Sequence, residues 1–154
     1  MPRGSLESVD AVRASIGVEA GVGEWLTITQ ERINAFADLS EDWQWIHVDV
    51  ERAQRESPFH TTIAHGFLTV ALLTKLVQEA VDIRIPCKLL INYGFNKVRF
   101  PSPVPAGSKI RAHVTPNAVS EVAGGLEIAW GIVVEIEGQG KPAVAAEWLL
   151  RLYF

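Results

Sequence analysis

From residue 109 onward the chain alternates. Ile110, Ala112 and Val114 stand against Lys109, Arg111 and His113; Ile128, Trp130, Ile132, Val134 and Ile136 repeat the period, as do Val144, Ala146, Trp148, Leu150 and Leu152. A period of two sends successive side chains to opposite faces, so three long half-buried strands are predicted. Leu89, Ile91, Tyr93 and Phe95 add a fourth, and Gly94 within that run marks a bulge. Hairpin turns are expected at Gly124-Gly125 and Gly138-Gln139-Gly140, and Pro101, Pro103, Pro105 and Gly107 make a stiff connection between strands.

Upstream the pattern is different. Residues 24–28 have the residue types of a short strand, and Thr29 follows as an N-cap, with Ile33, Phe36 and Ala37 at helical spacing to about Leu39. Residues 40–48 hold no clean period and read as a loop. Asp49 is placed to cap a short helix over 50–55, which ends before Pro58. Residues 67–81 contain no Gly or Pro and carry apolar residues around most of the circumference, which predicts one long helix buried on nearly all sides. Residues 1–23, with Gly4, Gly17, Gly21 and Gly23 and little periodicity, read as a loosely held leader with a helical turn near 8–14. A single domain then spans 24–154.

This order gives an α+β fold. Consecutive strands leave no room for βαβ crossovers, so an antiparallel sheet wraps the one apolar helix and buries both. The open edges of such a sheet predict an edge-to-edge homodimer. Composition changes little in that picture: 154 residues with 48% apolar and 21% charged residues are ordinary for one globular domain. A net charge of −4 with scattered Lys and Arg gives no footprint for nucleic acid. Cys87 is the lone cysteine, which excludes an intrachain disulfide or a Cys-based zinc site. It reads as a small buried hydrophobe in a cytoplasmic protein. Residues 1–20 lack the continuous apolar run of a signal sequence, and the longest apolar-rich segment, 67–81, is interrupted and too short to span a membrane.

The candidate chemistry sits in the loop. Asp42 and His47 lie five residues apart, with Trp43, Trp45 and Ile46 between them. Apolar surroundings would raise a carboxylate pKa and lower that of an imidazole, bringing both toward the range of efficient proton transfer at neutral pH. Spacing alone is met more often by an Asp capping a turn and a structural His. A second segment, residues 58–66, sharpens the case: it enters the apolar helix through His65 and Gly66. Helix N-terminal N–H groups donate to developing negative charge, and a glycine there admits a substrate oxygen.

Together, residues 36–48, 63–68 and Val98-Arg99-Phe100 with Pro103-Val104 and Gly107 resemble the MaoC-like dehydratases. That hot-dog-fold family includes (R)-specific enoyl-CoA hydratases and nodulation protein N, and the likeness runs from about Trp25 to the C-terminus. The resemblance implies a lyase of fatty-acid metabolism that adds water to trans-2-enoyl thioesters or removes it. It places the catalytic pair on Asp42 and His47 and the oxyanion N–H on Gly66. It places His65 in the helix-entry pair and a substrate-contacting hydroxyl on Thr74. Where the family commonly has Asn and Pro, this chain has Gln44 and Trp45, which resembles the nodulation protein N branch. Gln44 still offers an amide to orient the acid, and Trp45 alters the pocket.

Lys97 and Arg99, with Lys88 or Arg111, are candidates for the phosphates of coenzyme A, which enters as part of the substrate; no metal or redox cofactor is expected. His47, Asp49, His60 and His65 carry metal-ligand side chains, but at no ligand spacing on a regular element. Two other readings of the same fold are a thioesterase and an acyl-CoA-binding module without turnover.

Overall fold

The computed structural model describes residues 4–154. A six-stranded antiparallel sheet runs in the order β2 (Gly21–Val22), β6 (Lys109–Val122), β7 (Gly125–Ile136), β8 (Val144–Tyr153), β5 (Leu89–Arg99), and β3 (Leu26–Thr27) also pairs with β6. The alternation predicted it: Ile110, Ala112, Val114, Trp130, Ile132, Val134 and Val144 are fully buried on one face. Gly124 and Gly138 have φ of 79° and 76°, the left-handed conformation that both hairpin turns require. The bulge expected at Gly94 appears as register shifts on either side of it in the β5–β8 ladder.

Against that face pack α5 (Gly66–Ala71) and α6 (Leu73–Ala80). The predicted single helix is therefore two segments meeting at Leu72 (φ −81°, ψ −6°). Nor is it buried all round. Leu68, Leu73, Leu76, Val77 and Ala80 enter the core, while Phe67, Thr74 and Lys75 are exposed, Phe67 at 75%. The apolar run misled because Phe67 and Ala71 face outward in a single protomer.

The leader is ordered over its described part, 4–23; residues 1–3 lie outside the described residues. Ser8 caps α1 (Val9–Ala14), whose Val12 is fully buried, and β1 (Gly4–Leu6) pairs in parallel with β4 (Val81–Ile83). Backbone N–H groups of Gly17, Ala20 and Gly23 donate to Pro116, Val114 and Ala112 along β6. Glycine here serves close approach rather than looseness. A Cβ on Gly21 would lie 2.1 Å from the Ala80 carbonyl oxygen, and one on Gly4 1.8 Å from that of Ala20. Cys87, expected inside, is exposed. Among the described residues no helix is long and apolar enough to cross a membrane.

Candidate active site

Three short elements carry the acid and the histidine. Thr29 accepts from the Arg32 N–H and starts α2 (Gln30–Ser40), which ends at Glu41 in the left-handed conformation, φ 59°. That reversal turns the chain back through Asp42. The expected loop then tightens into a helical turn, α3 (Trp45–Val48), so His47 stands on a helix rather than in irregular chain. Asp49 ends that turn and, as predicted, caps the next helix, α4 (Val50–Glu56), accepting from Arg52 N–H at 3.0 Å.

Gln44 acts through its backbone. Its N–H donates to the Asp42 carboxylate (3.3 Å) and its carbonyl accepts from the His47 N–H (2.9 Å), while its side chain makes no capping bond. This explains why Gln replaces Asn without loss of the turn. Trp45 occupies the first position of α3, where proline is otherwise favoured because the N–H there has no intrahelical partner. Its ring instead lies under the Arg52 guanidinium, 4.3 Å away. The apolar shielding expected around Asp42 is absent. Asp42 is exposed, and Trp43, itself 55% exposed, turns away to donate to Asp38 (2.8 Å).

His47 is buried and held from three directions. Its Nδ1 lies 2.6 Å from the Ile63 carbonyl, which can only accept; Nδ1 therefore carries the proton and Nε2 presents a lone pair. Ile63 N–H donates to Ile46 (3.0 Å), so one residue clamps the turn on both sides. Gln30, through its amide, donates to the His47 carbonyl (2.7 Å) and accepts from the buried Thr62 hydroxyl. Burial lowers the His47 pKa and the neighbouring His65 adds to that, opposed by the Ile63 hydrogen bond and the Asp42 charge. Ile63, Gln30 and Thr62 escaped the sequence reading because a backbone acceptor and residues 16 to 32 positions apart leave no local signal.

An Asp42 carboxylate oxygen and one ring nitrogen each of His47 and His65 lie within 4.8 Å of one another. That is a span one water bridges with two hydrogen bonds of ~2.8 Å. The two imidazoles are stacked, centroids 3.9 Å apart and planes 24° apart.

His47 also faces a cavity of about 260 Å³ lined by Gly66, Thr69, Phe100 and Ser102. Gly66 opens α5, whose first N–H groups have no intrahelical acceptor. The Phe100 ring packs over Gly66, where a Cβ would meet it at 3.1 Å. Thr69, buried and one turn into α5, brings a hydroxyl to the cavity that the sequence reading did not pick. Thr74, which it did pick, lines another cavity of about 420 Å³ with Val77, Asn92 and Trp148.

The basic candidates do not gather in one protomer. Lys97 lines an outer-face groove with His113, Asn117 and Glu147, Arg99 is exposed, and Arg111 is paired to Glu135 at 2.7 Å. His60 and Asp49 are exposed and stand outside the Asp42, His47, His65 cluster.

The chain is similar over its length to known proteins. The chain is 48% identical over 148 residues to 3-hydroxyacyl-thioester dehydratase Z of Mycobacterium tuberculosis, covering 96% of this chain and 97% of that one. Nodulation protein N of Rhizobium meliloti is 43% identical over 148 residues, covering 96% and 92%. The solved structure of an (R)-hydratase from A. caviae involved in PHA biosynthesis superposes with a TM-score of 0.69 at 28% identity, over 90% of this chain and 98% of that one. Residues 12–130 match the MaoC like domain, and with a near full-length relative at 48% identity the chain belongs to that hot-dog family.

Proposed function

We propose that the protein is a hydratase/dehydratase of acyl thioesters, interconverting trans-2-enoyl and (R)-3-hydroxyacyl forms, with coenzyme A as the carrier. The observation that carries this reading is the His47 imidazole, held as the Nδ1–H tautomer by the Ile63 carbonyl, with a ring nitrogen within 4.8 Å of an Asp42 carboxylate oxygen. The dehydratase name of the relative at 48% identity supports it. In hydration, a water held by the pair loses a proton to it as the oxygen bonds to C3. The pair returns a proton to C2, and the thioester oxygen collects the charge between, facing the Gly66 N–H. One water is consumed and no electrons are exchanged, so the step needs no redox cofactor, and the acid/base pair moves both protons without a metal. Thr74, Lys97 and Arg99 remain candidates for substrate contact, whereas His65, first expected among them, touches the Asp42 backbone and the His47 ring.

A hydration assay over enoyl-CoA chain lengths, read by loss of enoyl absorbance, tests this. Thiol release without hydration would identify a thioesterase instead. Tight acyl-CoA binding with neither would identify a binding module.

The lowered His47 pKa fixes the sign of the pH dependence. The base form persists below the ordinary imidazole value of ~6.5, so kcat/KM should hold down to that pH and fall only beneath it. An acid limb above that value would contradict the assignment of His47 as base.

The assembly proposed is a homodimer in a cytoplasmic setting. β5 is the edge of the sheet, eleven residues long, and it presents Leu89, Leu90, Ile91 and Tyr93 at 41–57% exposure. A long apolar edge is a template for a second strand. Sedimentation should give twice the 16.9 kDa chain mass, and Ile91→Lys with Tyr93→Lys should give monomers. A wild type that is monomeric at micromolar concentration would remove the dimer.

A further inference from the structure

His65 lies next to the acid and the base and lines neither substrate cavity. It is 3% exposed at the N-cap of α5, yet its side chain does not cap the helix. Its Nε2 lies 3.0 Å from the backbone carbonyl of Asp42, 23 residues away. A carbonyl only accepts, so Nε2 carries the proton and Nδ1 is left as a lone pair. That Nδ1 is buried and has no hydrogen-bond partner among the described residues. One ring face stacks on His47 at 3.9 Å, and Phe36 of α2 meets the ring edge to face at 5.0 Å.

A buried acceptor without a partner costs free energy, and an apolar ring of the same shape would avoid that cost. The imidazole differs from such a ring in one useful respect here, the Nε2–H that reaches Asp42. We propose that His65 is a positioning residue that registers the catalytic pair, its Nε2–H holding the Asp42 backbone and its ring face holding the His47 imidazole. The proposal rests on the hydratase reading of Asp42 and His47.

Two substitutions separate the two holds. His65→Phe keeps a flat ring against His47 and loses the donor. Its kcat should fall ~10- to 100-fold with KM little changed, the scale of a small displacement of a reacting group. His65→Gln restores a donor at the Nε2 position and should recover most of that loss. Lacking the ring face, it covers His47 less completely. The titratable groups facing His47 are Asp42 and His65, so the acid limb of kcat/KM in His65→Gln should move to higher pH.

The His47 titration read by 15N NMR reports the same shift without any turnover. It therefore tests His65 even if the wild type fails to hydrate an enoyl thioester, which would sink only the catalytic reading. The NMR spectrum of the wild type also reports the His65 tautomer, in case a variant does not fold. An Nε2–H tautomer, the ordered kcat losses and a raised His47 titration in His65→Gln support the proposal. An Nδ1–H tautomer overturns it, as do two folded variants with wild-type kcat and an unmoved His47 titration.

Discussion

Asp42→Asn and His47→Ala should each lower kcat by ~100-fold or more, the low end for removing a general acid or base. The structure makes the two losses differ in kind. Asp42 is exposed and its carboxylate accepts the Gln44 N–H, so Asn keeps the size, the exposure and one acceptor oxygen. Only the charge and the proton-accepting capacity go, and KM should change little. His47→Ala also removes the Nδ1–H donor to Ile63 and the stacking partner of His65, leaving a buried carbonyl unsatisfied. A stability loss of ~1–3 kcal/mol should accompany the kinetic one. If the pair acts as a unit on one water, as proposed, the double variant should be scarcely slower than either single one. Multiplicative losses would mean that the two residues act on separate steps.

Gly21→Ala should destabilise the fold by ~3 kcal/mol, the upper end for forcing extra volume into a packed site. The added Cβ would sit 2.1 Å from the Ala80 carbonyl oxygen, and neither side can yield cheaply. Gly21 is paired with Val114 of β6, and Ala80 is the last residue of α6 and fully buried. Gly17→Ala is the control: φ is +80° but no atom of the described residues lies within 4 Å of the added Cβ, so only left-handed strain of ~1–2 kcal/mol applies. Urea midpoints at constant m-value check both. Equal stability of Gly21→Ala and wild type would mean that the segment before residue 23 contributes nothing to the fold.

These two sites mark what the sequence allowed and what it hid. Strands β6, β7 and β8 were legible because each buries one face, and a period of two survives any change of partner. Thr29 and Asp49 were legible as caps because a cap acts within three residues. The leader was not: Gly21 and Gly23 mark tight contacts to α6, distant in sequence, and a glycine chosen for closeness looks the same as one chosen for flexibility. The exposure of Phe67 also depends on what packs against α5, which composition does not record. At the site, Asp42, His47 and Gly66 were legible through their motifs. The expected shielding of Asp42 was not realised, because Trp43 turns to Asp38 and Trp45 pairs with Arg52. The Ile63 carbonyl that fixes the His47 tautomer leaves no spacing to read, and His65 was legible beside Gly66 while its bond to the Asp42 carbonyl, 23 residues away, was not.

The most direct test of the central claim is the fate of oxygen. The protein is incubated with a trans-2-enoyl-CoA in 18O-enriched water and the products are weighed by mass spectrometry. Water activated by Asp42 and His47 should place one 18O on C3 of an intact 3-hydroxyacyl thioester, and Asp42→Asn should place almost none. Label in a free carboxylate beside released coenzyme A, or an unlabelled enoyl thioester after full incubation, would contradict the account.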